Sequence, residues 1–174
     1  NIWYSFKMEL GEDLGAKYYD SELREVDPFR IKNPVDAARV FFAYLKYLII
    51  KYCTENNISI DILYAVSIPA SFEANQRKDL LDALMANDMK VSKQALIDEP
   101  NAAFISYAVS RAAEDRPMFI SPDYNSKVLV FDFGGGTCDI SILEIGQSAN
   151  GFFSKNIAIS KFTKLGGDDI DRYI

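Results

Sequence analysis

The fold of this chain is decided by residues 130–139, which read VFDFGGGTCD and place three consecutive glycines between two aspartates. The apolar run VLVF leads into the glycines and is typical of a β-strand. We place the middle of a hairpin turn at Gly135-Gly136, because a two-residue loop favours residues that accept positive φ. Asp132 then faces Asp139 across the two strands, at a distance where side chains interact directly.

Paired aspartates beside a glycine turn predict a site for phosphate and metal. Like charges on facing strand positions repel, and a cation that prefers oxygen ligands, such as Mg²⁺, would relieve the repulsion. The amides of the turn have no side chains around them and can point at an anion, with the hydroxyl of Thr137 beside them. The pattern therefore predicts a nucleotide phosphate cradle. The alternative is a hairpin tip rich in Asp and Gly that binds nothing.

A second pair of glycines lies in the stretch KLGGDDID at residues 164–171. It follows a predicted strand and opens a predicted helix, so Gly166 and Gly167 stand at a helix N-terminus, where amides and dipole favour anions. The alternative is a simple helix start with Asp168 as its acidic residue. Five of the nine glycines fall in these two clusters, so the clusters do not follow from a glycine-rich composition.

The third feature is the stretch LIDEPNAA at residues 96–103. Pro100 disfavours helical conformation in the residue before it, so we expect Glu99 to stand outside the following helix, which is predicted to begin at Ala102. Glu99 would then present its carboxylate from the sheet edge into a cleft. The alternative is a solvated glutamate in a turn.

Composition restricts the kinds of chemistry that are open to the chain. It has 49% hydrophobic and 25% charged residues, which is typical of a globular protein, and its net charge of −6 disfavours nucleic acid and anionic membranes as partners. No apolar run reaches the ~18 residues of a membrane-spanning helix. Histidine is absent, which excludes histidine-dependent triads and imidazole metal ligands. Cys53 and Cys138 match no metal spacing and predict reduced cysteines in a cytoplasmic protein.

The remaining pattern predicts an α/β protein with a second lobe that begins near residue 124. Asn33 and Pro34 predict a helix start, with an N-cap followed by proline at the first helical position. The segment 112–126 is expected to be a surface connection. Strands are predicted at 2–10, 61–69 (buried on both faces and ended by Pro69), 91–97, 127–133, 137–145 and 154–163, and helices at 34–55, 73–87, 102–111 and from about 167.

With these motifs in hand, the chain resembles the nucleotide-binding domain of the seventy-kilodalton heat-shock chaperones, the DnaK type. The resemblance implies the actin-like ATPase (ribonuclease H-like) fold, in which two lobes surround a nucleotide cleft. The chain would be a partial copy of it, the end of lobe I and the start of lobe II. The matching segments, in the family's order, are AVSIPASFEANQRKDLLDA, LIDEPNAAFISYAV, VLVFDFGGGTCDISILEI and KLGGDDIDRYI.

The resemblance also implies roles for single residues. Asp132 and Asp139 match carboxylates that hold the metal mainly through water, and Glu99 matches a carboxylate that positions the attacking water. These three are the candidate catalytic residues. Pro69 and Arg77 match residues that couple the nucleotide state to a substrate domain. The candidate phosphate-binding residues are Gly134, Gly135, Gly136, Thr137, Gly166 and Gly167.

The chain departs from the family pattern at several positions. Ser71 stands where the family usually has Tyr, Cys138 where it has Phe, and Asp98 and Asn101 replace Asn and Thr. The chain shows no D-x-G-T-T loop, no phosphate-contacting lysine and no adenosine-binding segment, so we expect it to be a fragment that is inactive by itself. The resemblance assigns 1–31 to the upper lobe I subdomain, 32–123 to the lower lobe I subdomain, 124–165 to the lower lobe II subdomain and 166–174 to the beginning of the upper lobe II subdomain.

The function implied is Mg²⁺-dependent hydrolysis of ATP to ADP by a chaperone that couples it to binding and release of unfolded client proteins. Its partners would be clients, bound through an absent substrate domain, together with a co-chaperone and a nucleotide-exchange factor. Two alternatives stay open at this stage. One is another actin-like ATPase, a sugar kinase or a filament protein, and the other is a structural module with a decayed site.

Overall fold

The computed structural model describes residues 6–12, 31–114, 125–149, 151–161 and 165–174. Two compact units share these residues: the first takes in the chain up to Val66 and Glu73–Ala95, and the second Ser67–Phe72 and everything from Leu96 onward. The elements are a 3-10 helix Phe6–Glu9, α1 Pro34–Glu55, β1 Tyr64–Ile68, α2 Ala74–Met85, β2 Val91–Asp98, α3 Glu99–Ala113, β3 Ser126–Phe133, β4 Cys138–Ser148, β5 Gly151–Ile159 and α4 Gly167–Asp171. Strands β1 and β2 pair with each other, and β3, β4 and β5 form a three-stranded sheet in that order.

Helix α1 begins and ends where the sequence predicted. The side chain of Asn33 accepts a hydrogen bond from the amide of Asp36 at 2.8 Å, and Pro34 occupies the first helical position, which needs no N–H. The helix packs against α2. Both helices bury small or compact residues, which favours a close approach of the two backbones. These residues are Ala37 and Ala38 of α1 and Ala83 and Leu84 of α2.

The predicted strand at 2–10 is wrong over residues 6–9, which form a 3-10 helix, while residues 2–5 lie outside the described ranges. The Phe6 ring contacts Phe41 of α1, with ring centroids 5.8 Å apart. Gly11 follows with a positive φ of 76°, and its amide donates to the Asp79 carboxylate at 2.8 Å. Contacts with α1 and α2 therefore stabilise a helical turn at residues 6–9. A strand does not form there, because the preference of a segment for β structure depends on its tertiary surroundings.

Strand β1 is shorter than predicted and is not buried on both faces within the described residues. It starts at Tyr64 instead of residue 61, and burial alternates along it, with Ala65 and Ser67 exposed. Leu63, just before it, is 97% exposed. The strand ends at Ile68, as predicted from Pro69, whose missing N–H cannot continue a ladder.

The hairpin of β3 and β4 has the predicted register. Asp132 pairs with Asp139, and the same alignment extends along the whole ladder to Ser126 and Ile145. The expectation of positive φ in the turn is wrong, because Gly11 is the one glycine with positive φ in the part of the chain that the structure describes. The register survives because the alternation of buried and exposed side chains along both strands also specifies it.

Helix α3 covers one face of this sheet. Phe104 of α3 packs with Leu143 and Ile145 of β4, and Val128 and Val130 of β3 complete the cluster. Side chains of the opposite face are apolar but exposed in this chain: Leu129, Phe131, Phe133 and Ile140.

The prediction that Pro100 holds Glu99 outside the helix is wrong, because α3 begins at Glu99 and contains Pro100 in its first turn. Proline is tolerated there, since the first amides of a helix have no partner within it.

The predicted connection at 112–126 falls largely on residues 115–124, which lie outside the described ranges. The two compact units change over at 66/67, 72/73 and 95/96, and both the second lobe from about residue 124 and the assignment to four subdomains stay predictions.

Candidate functional site

The two predicted carboxylates lie at the turn end of the hairpin. Asp132 and Asp139 are cross-strand partners, so their side chains project from the same face of the sheet. Their surroundings differ, because Asp139 is buried, at 4% exposure, whereas Asp132 is exposed. The site thus combines one carboxylate in a fixed environment with one that is open to solvent.

Asp139 is bound by a residue from a distant part of the sequence. The hydroxyl of Ser71 donates a hydrogen bond to Oδ1 of Asp139 at 2.5 Å, and both residues belong to the second unit. The bond is charge-assisted, and bonds of this kind are short and stronger than neutral ones. It offsets part of the cost of burying a carboxylate.

The two glycine clusters lie against each other. The amide of Gly167 donates to the carbonyl of Gly134 at 3.0 Å, and that of Asp168 donates to the carbonyl of Gly135 at 2.6 Å. A Cβ on Gly166 would overlap the Gly135 carbonyl and lie 2.7 Å from the amide nitrogen of Gly136. The contact therefore requires glycine at position 166. The carbonyls of Gly134 and Gly135 accept hydrogen bonds from amides of α4. These bonds are the physical reason why the turn does not adopt the predicted backbone with positive φ.

The turn keeps free amides. Those of Gly135 and Gly136 donate no hydrogen bond to any residue that the structure describes. The amides of Gly167 and Asp168 are engaged by the turn, and that of Gly166 donates to the Asp169 carboxylate at 3.0 Å. In this conformation the turn offers donors to an anion, and the start of α4 serves to hold the turn.

Two further polar residues, Thr137 and Ser141, are buried near the turn end of the hairpin. Thr137, beside the turn, is 8% exposed, and Oγ of Ser141, two residues beyond Asp139, is buried and has no hydrogen-bond partner within the described ranges. Among the described residues no three Cys, Asp or Glu side chains lie close enough to hold a metal ion.

The other predicted site residues lie elsewhere in the two units. Glu99 is the first residue of α3 and Pro69 is buried beyond the end of β1, both in the second unit. Arg77 lies on α2, in the first unit. The structure thus brings together Gly134–Thr137, Asp132, Asp139 and the Gly166-Gly167 pair.

The comparisons with known proteins agree with the fold. The sequence model that describes the Hsp70 protein family matches residues 35–174. The chain therefore belongs to the Hsp70 family and has part of an actin-like ATPase fold. Membership in this family removes the sugar kinase and filament protein alternatives.

Within the described ranges, no helix is both long and apolar enough to cross a bilayer.

Individual relatives carry heat-shock or chaperone names. The heat shock cognate HSP70 protein of Trypanosoma brucei brucei is 36% identical over 169 residues, which cover 97% of this chain and 22% of that relative. Chaperone protein dnaK of Cyanidioschyzon merolae is 39% identical, and chaperone protein DnaK of Nitrosopumilus maritimus 37%, each over 109 residues that cover 63% of this chain and 15% of the relative. The chain thus spans less than a quarter of these relatives.

Sequence reasoning missed the role of Ser71 in the site. In the sequence, Ser71 is noticeable only as a departure from the family pattern. The residues around it do not indicate that it contacts Asp139, which lies 68 positions away. It also missed the engagement of the turn carbonyls by α4. Both contacts join segments that are separate in sequence, so only the folded chain can reveal them.

Proposed function

We propose that this chain forms the phosphate- and metal-binding part of the ATPase domain in a heat-shock-type chaperone. The complete protein would hydrolyse ATP and couple hydrolysis to the binding and release of unfolded client proteins. Membership in the Hsp70 family supports the chaperone class. One observation carries the ATPase part, the packing of the two glycine clusters against each other beside the paired Asp132 and Asp139.

The residues present fit a Mg²⁺–nucleotide. Asp132 and Asp139 would hold the metal through its water shell, and the free amides of Gly135 and Gly136 would bind phosphate oxygens beside the Thr137 hydroxyl. When bound, Mg²⁺ offsets the charge of the phosphates and orders the groups around them. The protein's own contribution is positioning, because a phosphate-binding turn that is held in place needs little reorganisation.

Three further parts of the proposal rest on the resemblance. Glu99 would position the attacking water from the first turn of α3. Pro69 and Arg77 would transmit the nucleotide state to a substrate domain, and a co-chaperone and a nucleotide-exchange factor would regulate the cycle. The cytoplasm is the proposed compartment, which agrees with two cysteines that form no disulfide, Cys53 and Cys138.

Measurement of nucleotide binding and phosphate release by the full-length protein, with and without Mg²⁺, tests the proposal. We expect Mg²⁺-dependent ATP binding and turnover in the wild type. The variant Glu99→Gln should release phosphate about 10- to 100-fold more slowly and keep its ATP affinity within about twofold, because the role of Glu99 is exerted in the reacting complex. Absence of turnover in the wild type would favour the structural module with a decayed site.

The 174 residues alone are proposed to be inactive. A bound nucleotide is held from several sides, and the chain carries no match to the family's first phosphate loop or to its phosphate-contacting lysine. Each missing contact to a charged group costs about 1.5–3 kcal/mol, and ~1.4 kcal/mol is a factor of ten in affinity. Calorimetry should therefore detect no tight Mg²⁺–ATP binding by this chain. Micromolar binding would overturn this part of the proposal and leave the rest intact.

A further inference from the structure

The buried member of the aspartate pair depends on one side-chain hydrogen bond. Asp139 accepts from the Ser71 hydroxyl, and within the described residues no cation pairs with it and no other donor reaches it. Asp132, its partner across the ladder, is exposed and contacts no donor in the same ranges. The two carboxylates of the site are therefore held very differently, and the difference comes from Ser71.

Ser71 is well placed to hold a carboxylate still. It lies in the short segment Ser67–Phe72, which belongs to the second unit although the residues on both sides of it belong to the first. Its neighbours Pro69, Ala70 and Phe72 are buried, and the amide of Phe72 donates to the carbonyl of Pro69 at 3.1 Å, which closes a turn around it. A hydroxyl on such a support loses little further freedom when it forms its bond.

The hydrogen bond restricts the orientation of the Asp139 side chain. Oδ1 accepts from Ser71, whereas Oδ2 accepts from no residue that the structure describes. A bond to one oxygen fixes the rotation of the carboxylate and leaves the second oxygen as an acceptor for water. Without the Ser71 hydroxyl, no hydrogen bond within the described residues would fix the rotation of this buried carboxylate.

We propose that Ser71 is a positioning residue that orients Asp139 for the water shell of the metal, an inference that rests on the proposed function. Ser71 touches neither metal nor nucleotide in the proposal. It acts through Asp139, and its removal should change the Mg²⁺ dependence of nucleotide binding more than nucleotide binding itself.

Calorimetric titration of ATP into the full-length protein over a range of Mg²⁺ concentrations tests this. Ser71→Ala should raise the Mg²⁺ concentration for half-maximal enhancement of ATP affinity about five- to tenfold, which is less than the full effect of losing a hydrogen bond to a charged group because Ser71 acts through Asp139. ATP affinity in EDTA should stay within about twofold of the wild type. Ser71→Thr keeps the hydroxyl and should restore the Mg²⁺ midpoint. Ser67→Ala, an exposed serine of the same segment, is the matched control and should change nothing.

A double-mutant cycle with Asp139→Asn separates positioning from general destabilisation. Once the Asp139 charge is gone, Ser71→Ala should add less than about a twofold effect on the Mg²⁺ midpoint, because residues that act through one another are not additive. If Ser71→Ala lowers the melting temperature, the isosteric Ser71→Cys, a weaker donor, replaces it in the cycle. An unchanged midpoint in these variants, or full additivity with Asp139→Asn, would overturn the inference and leave the proposed function standing. A wild type without Mg²⁺-dependent ATP binding would overturn both.

Discussion

The covered face of the β3–β4 ladder changes character between its two ends. At the open end, Leu143 and Ile145 are completely buried against Phe104 of α3. At the turn end, the same face of β4 continues with Ser141 and Asp139, which are equally buried but polar. One end contributes apolar burial, and the other carries buried groups that cost free energy unless they find partners. One strand can therefore supply stability and chemistry at separate positions that lie only a few residues apart.

The largest expected effect lies at the open end. Leu143→Ala should lower the free energy of unfolding by about 2–5 kcal/mol, because a completely buried leucine leaves a cavity when it is truncated. Urea unfolding of the full-length protein measures the loss, and ATP affinity per folded molecule should be unchanged. Leu129→Ala, on the opposite face and 64% exposed in this chain, should cost less than about 1 kcal/mol. Equal losses would show that both faces are covered in the full-length protein.

The turn end should respond in the opposite way. Asp139→Asn keeps the shape of the side chain but removes its charge, so we expect phosphate release to fall about 100-fold, or ~2.7 kcal/mol of transition-state stabilisation. The free energy of unfolding should fall by less than about 1 kcal/mol, since repulsion from Asp132 is also removed. Single-turnover phosphate release and urea unfolding of the same preparation measure the two effects. Normal release, or a large loss of stability, would abolish the contrast between the two ends.

The contact between the glycine clusters gives a third, smaller effect. Gly166→Ala should force the start of α4 away from the turn, because the added Cβ meets backbone atoms that cannot move aside. We expect faster hydrogen exchange of the Gly167 and Asp168 amides, by about tenfold, which corresponds to ~1.4 kcal/mol. Gly135→Ala is the control, since the nearest atom to its Cβ would be an Asp168 carboxylate oxygen at 4.0 Å. Equal exchange in both variants would show that the close approach at Gly166 is unimportant.

The smallest effect on hydrolysis is expected outside the hairpin, at Arg77 of α2. Arg77→Ala should leave basal phosphate release within about twofold of the wild type, because its proposed role is to couple hydrolysis to client release and not to contact phosphate. ATP-triggered release of a fluorescent unfolded peptide from the full-length protein should be lost. Lys78→Ala is the control, since Lys78 is an exposed neighbour that pairs with Asp82 at 2.6 Å. Lost basal activity with intact release would refute the role of Arg77.

Several features followed from local sequence because their physical causes are local. Asn33-Pro34 fixed the start of α1, since capping needs only the first turn of the helix. The pairing of Asp132 with Asp139 followed from the position of the turn and the alternation along the strands. One prediction failed where tertiary contacts outweigh propensity, since residues 6–9 form a 3-10 helix against α1. Another failed for a local reason, because proline is tolerated in the first turn of a helix and Pro100 lies in the first turn of α3.

The sequence by itself determined the α/β class, the family and the register that sets Asp132 opposite Asp139, because these depend on periodicity, motif spacing and turn position. The tertiary structure alone decided which member of that pair is buried and which residue binds it. Ser71 meets Asp139 across 68 positions, and the carbonyls of the glycine turn are bound by amides of α4. Contacts of this kind arise only when segments distant in sequence pack together, since no local preference of either segment encodes the identity of its partner.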